Sequence, residues 1–148
     1  MEIIQSKFFP EFRVVIRFPV QWGDQDAFGH VNNTVYARWF ESGRIAYFSR
    51  IGILTTFDSD RIGPILAALN VNFRRSVTYP DTVEVGARVT RIGRSSLSIE
   101  HKIYSYGLGA ICAEGDSTLV VFNYAEQKSH PVPDRVRAAI EQLEGQTF

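Results

Sequence analysis

From Arg13 to Gln21 apolar and polar residues alternate, with Val14, Ile16, Phe18 and Val20 on one side and Arg13, Arg17 and Gln21 on the other. A period of two marks a half-buried strand. Pro19 has no N–H, so this strand is expected at a sheet edge, or its pairing ends there. Residues 1–12 show weak periodicity and read as a loose lead-in. From Thr34 the period lengthens. Val35, Trp39, Gly43 and Ala46 with Tyr47 recur every three to four residues, with Tyr36 and Phe40 alongside, which is one buried face of a helix. Arg38, Glu41 and Arg44 fall on its wetter side, and Glu41 and Arg44 are spaced to pair with each other. The helix is expected to end near Gly52, and residues 53–63 read as turn-like.

Alternation then returns. Leu69, Val71, Phe73 and Val77 mark a strand over 65–79, and Tyr79-Pro80-Asp81 a turn. Val83, Val85, Ala87 and Val89 alternate with polar residues, and Arg91 to Ser95 is a hairpin connection to a strand with Leu97, Ile99, His101 and Ile103 on one face. A turn at 106–109 leads to a long last strand over 110–124. Pro131 and Pro133 interrupt, and 134–143 reads as a short helix. The expected order is strand, helix, then an antiparallel meander of four strands. One long helix and one antiparallel sheet give an α+β domain with the sheet wrapped on the helix.

The 148 residues suit a single domain spanning the chain. The formal net charge of zero argues against bulk nucleic-acid binding. A single cysteine, Cys112, excludes an intrachain disulfide and a multi-cysteine metal site. The three histidines lack paired ligand spacing, so neither a metal nor a cofactor is expected. No apolar run suits a bilayer span, and no basic-then-apolar leader is seen, so a soluble cytoplasmic protein with no membrane partner is expected.

The stretch from Trp22 to Asn33 carries the candidate chemistry. Asp24 and Asp26 lie on a polar loop, Gly29 lets the backbone bend, His30 follows, and Asn32 or Asn33 supplies the cap of the helix. A helix start offers unpaired N–H groups and a partial positive charge, which suits acyl-transfer chemistry beside a carboxylate. The residues alone leave Asp26 open between a loop-capping and a catalytic carboxylate. Asp24 reads as structural, bonding loop N–H groups. His30 either orients Asp26 or the thioester, or merely satisfies the loop. His101 reads as a core or interface histidine and His130 as a solvated loop residue.

This order of elements, with Gly23-Asp24-Gln25-Asp26-Ala27-Phe28-Gly29-His30-Val31-Asn32-Asn33, resembles the hotdog-fold thioesterases. More narrowly it is similar to the 4-hydroxybenzoyl-CoA thioesterase/YbgC-type acyl-CoA thioesterases. Glu41-x-x-Arg44, Tyr79-Pro80-Asp81-Thr82 and Gly93-Arg94-Ser95-Ser96 match as well, so the likeness spans roughly residues 13 to 124. The resemblance implies a hotdog fold, a homodimer or homotetramer with sites at the interface, and metal-free hydrolysis of acyl-CoA. It maps the catalytic carboxylate to Asp26, as general base or as nucleophile, and the carbonyl-polarising N–H to Asn33, with Asn32 beside it.

The catalytic set expected on this basis is Asp26, Asn33 and His30. The substrate-binding set is Asn32, Phe28, Arg94, Ser95 and Ser96. Phe28, Val35, Tyr36 and Trp39 either line an acyl pocket or fill the core. Arg74, Arg75, Arg91 and Arg94 are either solvated or meet CoA phosphates, since arginine suits bidentate phosphate recognition. The rival reading is a non-catalytic hotdog module that binds acyl-CoA or an acyl-carrier protein. A hotdog hydratase would need a His and Asp arrangement that is not seen.

Overall fold

The five period-two segments, with two short segments that the alternation did not mark, form seven strands in a computed structural model describing residues 1–148. They are β1 (Glu2–Ile4), β2 (Val14–Pro19), β3 (Ile62–Phe73), β4 (Thr82–Ile92), β5 (Ser96–Ser105), β6 (Ala110–Asn123) and β7 (Lys128–Ser129). All pair antiparallel in one sheet of order β1-β2-β4-β5-β6-β3, with β7 also on β6. Strand β5 shows the cleanest alternation, every second residue being buried from Leu97 to Ser105. Pairing of β2 with β4 stops at Pro19, opposite Thr82, as a residue without an N–H requires.

The helical stripe becomes α1, Asn33–Ile51. Asn32 caps it by accepting from the Thr34 N–H at 2.9 Å. Val35, Trp39, Phe40, Tyr47 and Ile51 are buried, and Val83, Val85, Leu97 and Ile99 meet them in the same core. The result is the hotdog arrangement, a curved antiparallel sheet around one long central helix.

Four expectations need correction. First, β4, β5 and β6 form a meander, but β3 does not join it next to β4. It pairs with β6 at the far edge, Ile65 opposite Val120 and Val71 opposite Gly115, while β2 takes the place beside β4. The helix α1 separates β2 from β3, and a crossover of that length puts the two strands at different places in the sheet. Second, β3 ends at Phe73 rather than 79, because the Arg74 and Arg75 N–H groups both turn to the Cys112 carbonyl, at 2.9 and 3.1 Å. Third, residues 53–60 form a second helix, α2 (Ile53–Asp60), held by the buried Ile53 and Thr56 rather than by propensity. Fourth, the first twelve residues are not loose. Phe9 and Phe12 are buried with Val15 on the outer sheet face, and they fit because Gly86 lies beneath them. A Cβ there would stand 2.7 Å from Phe12 Cδ1. Helix α3 (Asp134–Glu144) closes the chain, burying Val136 and Ile140.

The core also holds a polar chain. His101 is fully buried and its ring stacks on Phe40, centroids 4.4 Å apart. Its Nδ1 lies 3.3 Å from the Gly86 carbonyl, which can only accept, so Nδ1 carries the proton. Nε2 then accepts from the Ser117 hydroxyl at 2.8 Å, and Ser117 Oγ accepts from Arg44 Nη1 at 3.0 Å. Burial first, and the nearby Arg44 charge second, bring the His101 pKa down to about 3. The expected Glu41–Arg44 pair is absent from the ion pairs. Arg44 points inward instead of lying on the wet side, because Ser117 is there to accept from it.

Candidate active site

The loop before α1 folds back on itself. Gln25 bridges to Val31, and the Asp26 N–H donates to the His30 carbonyl at 2.8 Å. Gly29 makes the turn at φ 80°, a left-handed conformation that a side chain disfavours. Asp26 Oδ1 accepts from the Phe28 N–H at 2.8 Å, an Asx turn that orients the carboxylate. This fold-back sets Asp26 beside the helix start, two residues after the bridge.

Asp24 does the structural work. It is buried, its Oδ2 accepts from the Gln21 N–H at 2.8 Å, and its carbonyl accepts from the Asn32 N–H at 2.9 Å. Its Oδ1 stands 3.8 Å from Arg38 Nη2, a long contact to an exposed partner. The loop as a whole is pinned to the segment after β3 by Val31 N–H to the Val77 carbonyl, 2.8 Å.

Asp26, His30 and Asn33 line one cavity of about 320 Å3. The first N–H groups of the helix are engaged unequally. Thr34 N–H goes to Asn32 Oδ1 and Val35 N–H to the Asn32 carbonyl. The Asn33 N–H donates to no protein group. A carboxylate and an unbonded helix N-terminal donor therefore share a cavity, which is the pairing that acyl transfer needs. Tyr36 forms part of the wall. Burial pushes its phenol up to about 12, so it stays a neutral hydroxyl, and its oxygen accepts from the Val77 N–H at 3.2 Å.

The remaining wall comes from Phe73, Arg74, Arg75 and Ser76. Ser76 was not singled out in the sequence, and nothing local marks it. These residues reach the cavity only because β3 crosses to β6 and the Val31–Val77 bond ties its end to the loop. Arg74 is paired with Glu114 at 3.0 Å.

The other expected residues are placed elsewhere. Asn32 uses its N–H and side-chain oxygen within the loop and cap, leaving its amide NH2 free. Phe28 is 86% exposed and does not line the cavity. Val35 and Trp39 fill the core. Arg94, Ser95 and Ser96 lie at the β4–β5 hairpin. The Asp26 loop adjoins the Thr82 end of β4, so the hairpin is about 30 Å away along that strand, and one chain does not bring them together.

This fold and site define a hotdog protein of the thioesterase type. A profile of the thioesterase-like superfamily matches residues 20–140, and the chain belongs to that family. Among solved structures it is similar to PA2801, a putative thioesterase from Pseudomonas aeruginosa. The two are 38% identical, the match covers 85% of this chain and 96% of that one, and the TM-score is 0.76. It is also similar to a Thermus thermophilus thioesterase complexed with coenzyme A and Zn, at 33% identity over 93% of this chain and 98% of that one, TM-score 0.82. A thioesterase-superfamily structure from Jannaschia, 20% identical with TM-score 0.85 over 97% and 94% of the two chains, shares the fold. Among curated proteins, Bacillus subtilis YsmA is 24% identical over 55% of this chain and 54% of its own length. The chain matches about half or less of the length of its curated relatives.

Proposed function

We propose that the protein hydrolyses acyl-CoA thioesters, in the manner of the 4-hydroxybenzoyl-CoA/YbgC-type enzymes that its loop motif resembles. The carrying observation is that Asp26 and the unbonded Asn33 N–H line one cavity. The thioester carbonyl oxygen sits against the Asn33 N–H, where developing negative charge is stabilised. Losing one such donor costs on the order of 10²–10³ in rate. Asp26 either takes the proton of an attacking water or attacks the carbonyl carbon to form an anhydride that water opens. In both routes the C–S bond breaks, CoA leaves as the thiol, and the acid is released. His30, in the same cavity, orients the carboxylate or the thioester. Acyl-CoA as substrate is supported by the likeness to the CoA-bound Thermus structure. The setting proposed is the cytoplasm, where a buried free thiol such as Cys112 stays reduced.

The working form proposed is a homodimer or a homotetramer. Strand β3 supports it, since its outer edge has no partner strand and exposes Leu66 (43%), Leu69 (38%) and Phe73 (52%). A second copy also offers a route by which Arg94, with Ser95 and Ser96, meets CoA phosphates far from its own chain's Asp26. Phe28 is free to touch an entering substrate. A panel of aliphatic and aromatic acyl-CoAs assayed for free thiol tests the reading. Hydrolysis of at least one is expected. Binding of CoA thioesters with no thiol released from any of them would leave a binding module instead.

A further inference from the structure

The Asp26 cavity has a second hydrogen-bond donor that no protein group uses. Tyr36 stands nearly one turn into α1, about 4.5 Å along the axis from Asn33 at about 1.5 Å per residue. A long helical side chain leans back over the preceding turn, so the phenol is carried toward the helix start. Tyr36 is 3% exposed and forms part of the cavity wall. Its ring is held edge-to-face on Phe73, centroids 5.1 Å apart, and tilted on Trp39 at 5.2 Å. Its oxygen is held too. It accepts from the Val77 N–H at 3.2 Å, and the Val77 carbonyl accepts from the Val31 N–H at 2.8 Å.

A phenol accepts and donates. Tyr36 accepts from Val77, but its O–H makes no hydrogen bond to a protein group. Asp26 is not its acceptor, and no carboxylate acts on the phenol, whose upward shift comes first from burial. An O–H left unpaired in a buried place is costly, so it favours an oxygen supplied by a ligand. The other polar wall residues differ. Arg74 is paired with Glu114, and Arg75 and Ser76 are exposed to water. On the thioester-hydrolase reading above, we propose that Tyr36 is a further catalytic residue, whose O–H joins the Asn33 N–H on the thioester carbonyl oxygen. A carbonyl oxygen has room for two donors. When the nucleophile adds, an electron pair moves onto that oxygen and both hydrogen bonds strengthen, which lowers the barrier. The pair returns as the C–S bond breaks. Tyr36 keeps its proton throughout, since burial holds the phenol neutral.

Two inert analogues of one hydrolysed acyl-CoA, titrated into the full-length protein in its native assembly, test this. In the ketone a methylene replaces the sulfur and the carbonyl stays. In the thioether the carbonyl becomes a methylene. The wild type should prefer the ketone. Tyr36→Phe should weaken the ketone roughly three- to tenfold and leave the thioether unchanged. Its kcat should fall on the order of 10²–10³-fold with KM little altered, because the bond is strongest in the transition state. Phenylalanine also deprives the Val77 N–H of its acceptor. Fluorination of the Tyr36 ring therefore provides a second arm, since it keeps the oxygen and sharpens the O–H as a donor. The fluorinated protein should bind the ketone more tightly and the thioether equally. Equal weakening of both analogues by Tyr36→Phe would make Tyr36 a shape contact and overturn the proposal. Unchanged ketone binding in Tyr36→Phe, or an unaltered preference after fluorination, would overturn it as well. A wild type that hydrolyses acyl-CoA but keeps its ketone preference in Tyr36→Phe would defeat this inference alone. A wild type that hydrolyses none would defeat the thioesterase reading with it.

Discussion

Replacing Asp26 by Asn separates chemistry from architecture. Asparagine keeps the size of the side chain and its acceptor oxygen, so the Asx bond from the Phe28 N–H survives. The other loop bonds at this position, to His30 and from Gly29, use backbone atoms and are untouched. What is lost is a half-buried negative charge near a helix start, worth about 0.3–1 kcal/mol. For a chain of this size 1 kcal/mol moves the melting temperature by about 2–4 °C, so the fold should survive with a small shift. Turnover is another matter. Without a base the rate should fall roughly 10²–10⁴-fold, and more if Asp26 is the nucleophile. Asp24→Asn should behave in the opposite way. One amide oxygen cannot replace two carboxylate oxygens, one bonded to Gln21 N–H and one facing Arg38. Loss of the charged acceptor at this buried position costs about 1–3 kcal/mol, with a smaller loss of rate. Thiol release and thermal unfolding, measured on both variants, check the assignment. A folded Asp26→Asn protein with near wild-type kcat would refute it.

Other outcomes test the frame around the site. His101 takes a proton near pH 6.5 when unfolded but only near 3 in the fold. The unfolded chain holds more protons between those values. The stability His101 contributes is therefore present above pH 6.5 and lost as pH falls toward 3, by up to about 1.4 kcal/mol per unit. Between pH 7 and 5, denaturant unfolding of the wild type should lose roughly 2 kcal/mol more than that of His101→Gln; parallel losses would count against it. Gly115→Ala sets a Cβ 1.9 Å from the Asn70 carbonyl oxygen, so β3 must shift. At least about 3 kcal/mol of stability should be lost, with activity falling because Phe73 and Arg75 move, and a wild-type melting temperature would contradict the β3–β6 register. Arg94→Ala should raise KM more than it lowers kcat and blunt the salt dependence of substrate binding; unchanged KM removes Arg94 from the site. Leu69→Lys on the free β3 edge should shift light scattering toward monomer, and an unaltered mass would place any interface elsewhere.

Much of the fold was legible because apolar period follows element geometry. The alternation through Leu97, Ile99, His101 and Ile103 could only be a strand with one face inward, and the spacing from Val35 to Tyr47 only a helix. Asp26 and His30, just before the helix start, likewise lie on one cavity with Asn33, whereas Asp24 is buried within the loop. Pattern failed where a neighbour distant in sequence decided the outcome. Arg44 looked like a surface residue until Ser117, on β6, offered it a partner. Residues 1–12 looked loose because their order comes from Phe9 and Phe12 finding the bare backbone of Gly86. Residues 53–60 became helical through the burial of Ile53 and Thr56.

The sequence by itself determined the long helix and the five long strands, and it placed a carboxylate beside a helix N-terminus, because those features depend on spacing within a dozen residues. The tertiary structure decided which strands are neighbours. It carried β3 past β4 to β6, brought Arg74, Arg75 and Ser76 to Asp26, and left the Arg94 hairpin at the far end of the sheet. The physical reason is that strand pairing is a contact between distant segments, selected by how the whole sheet covers α1, and no local period encodes it.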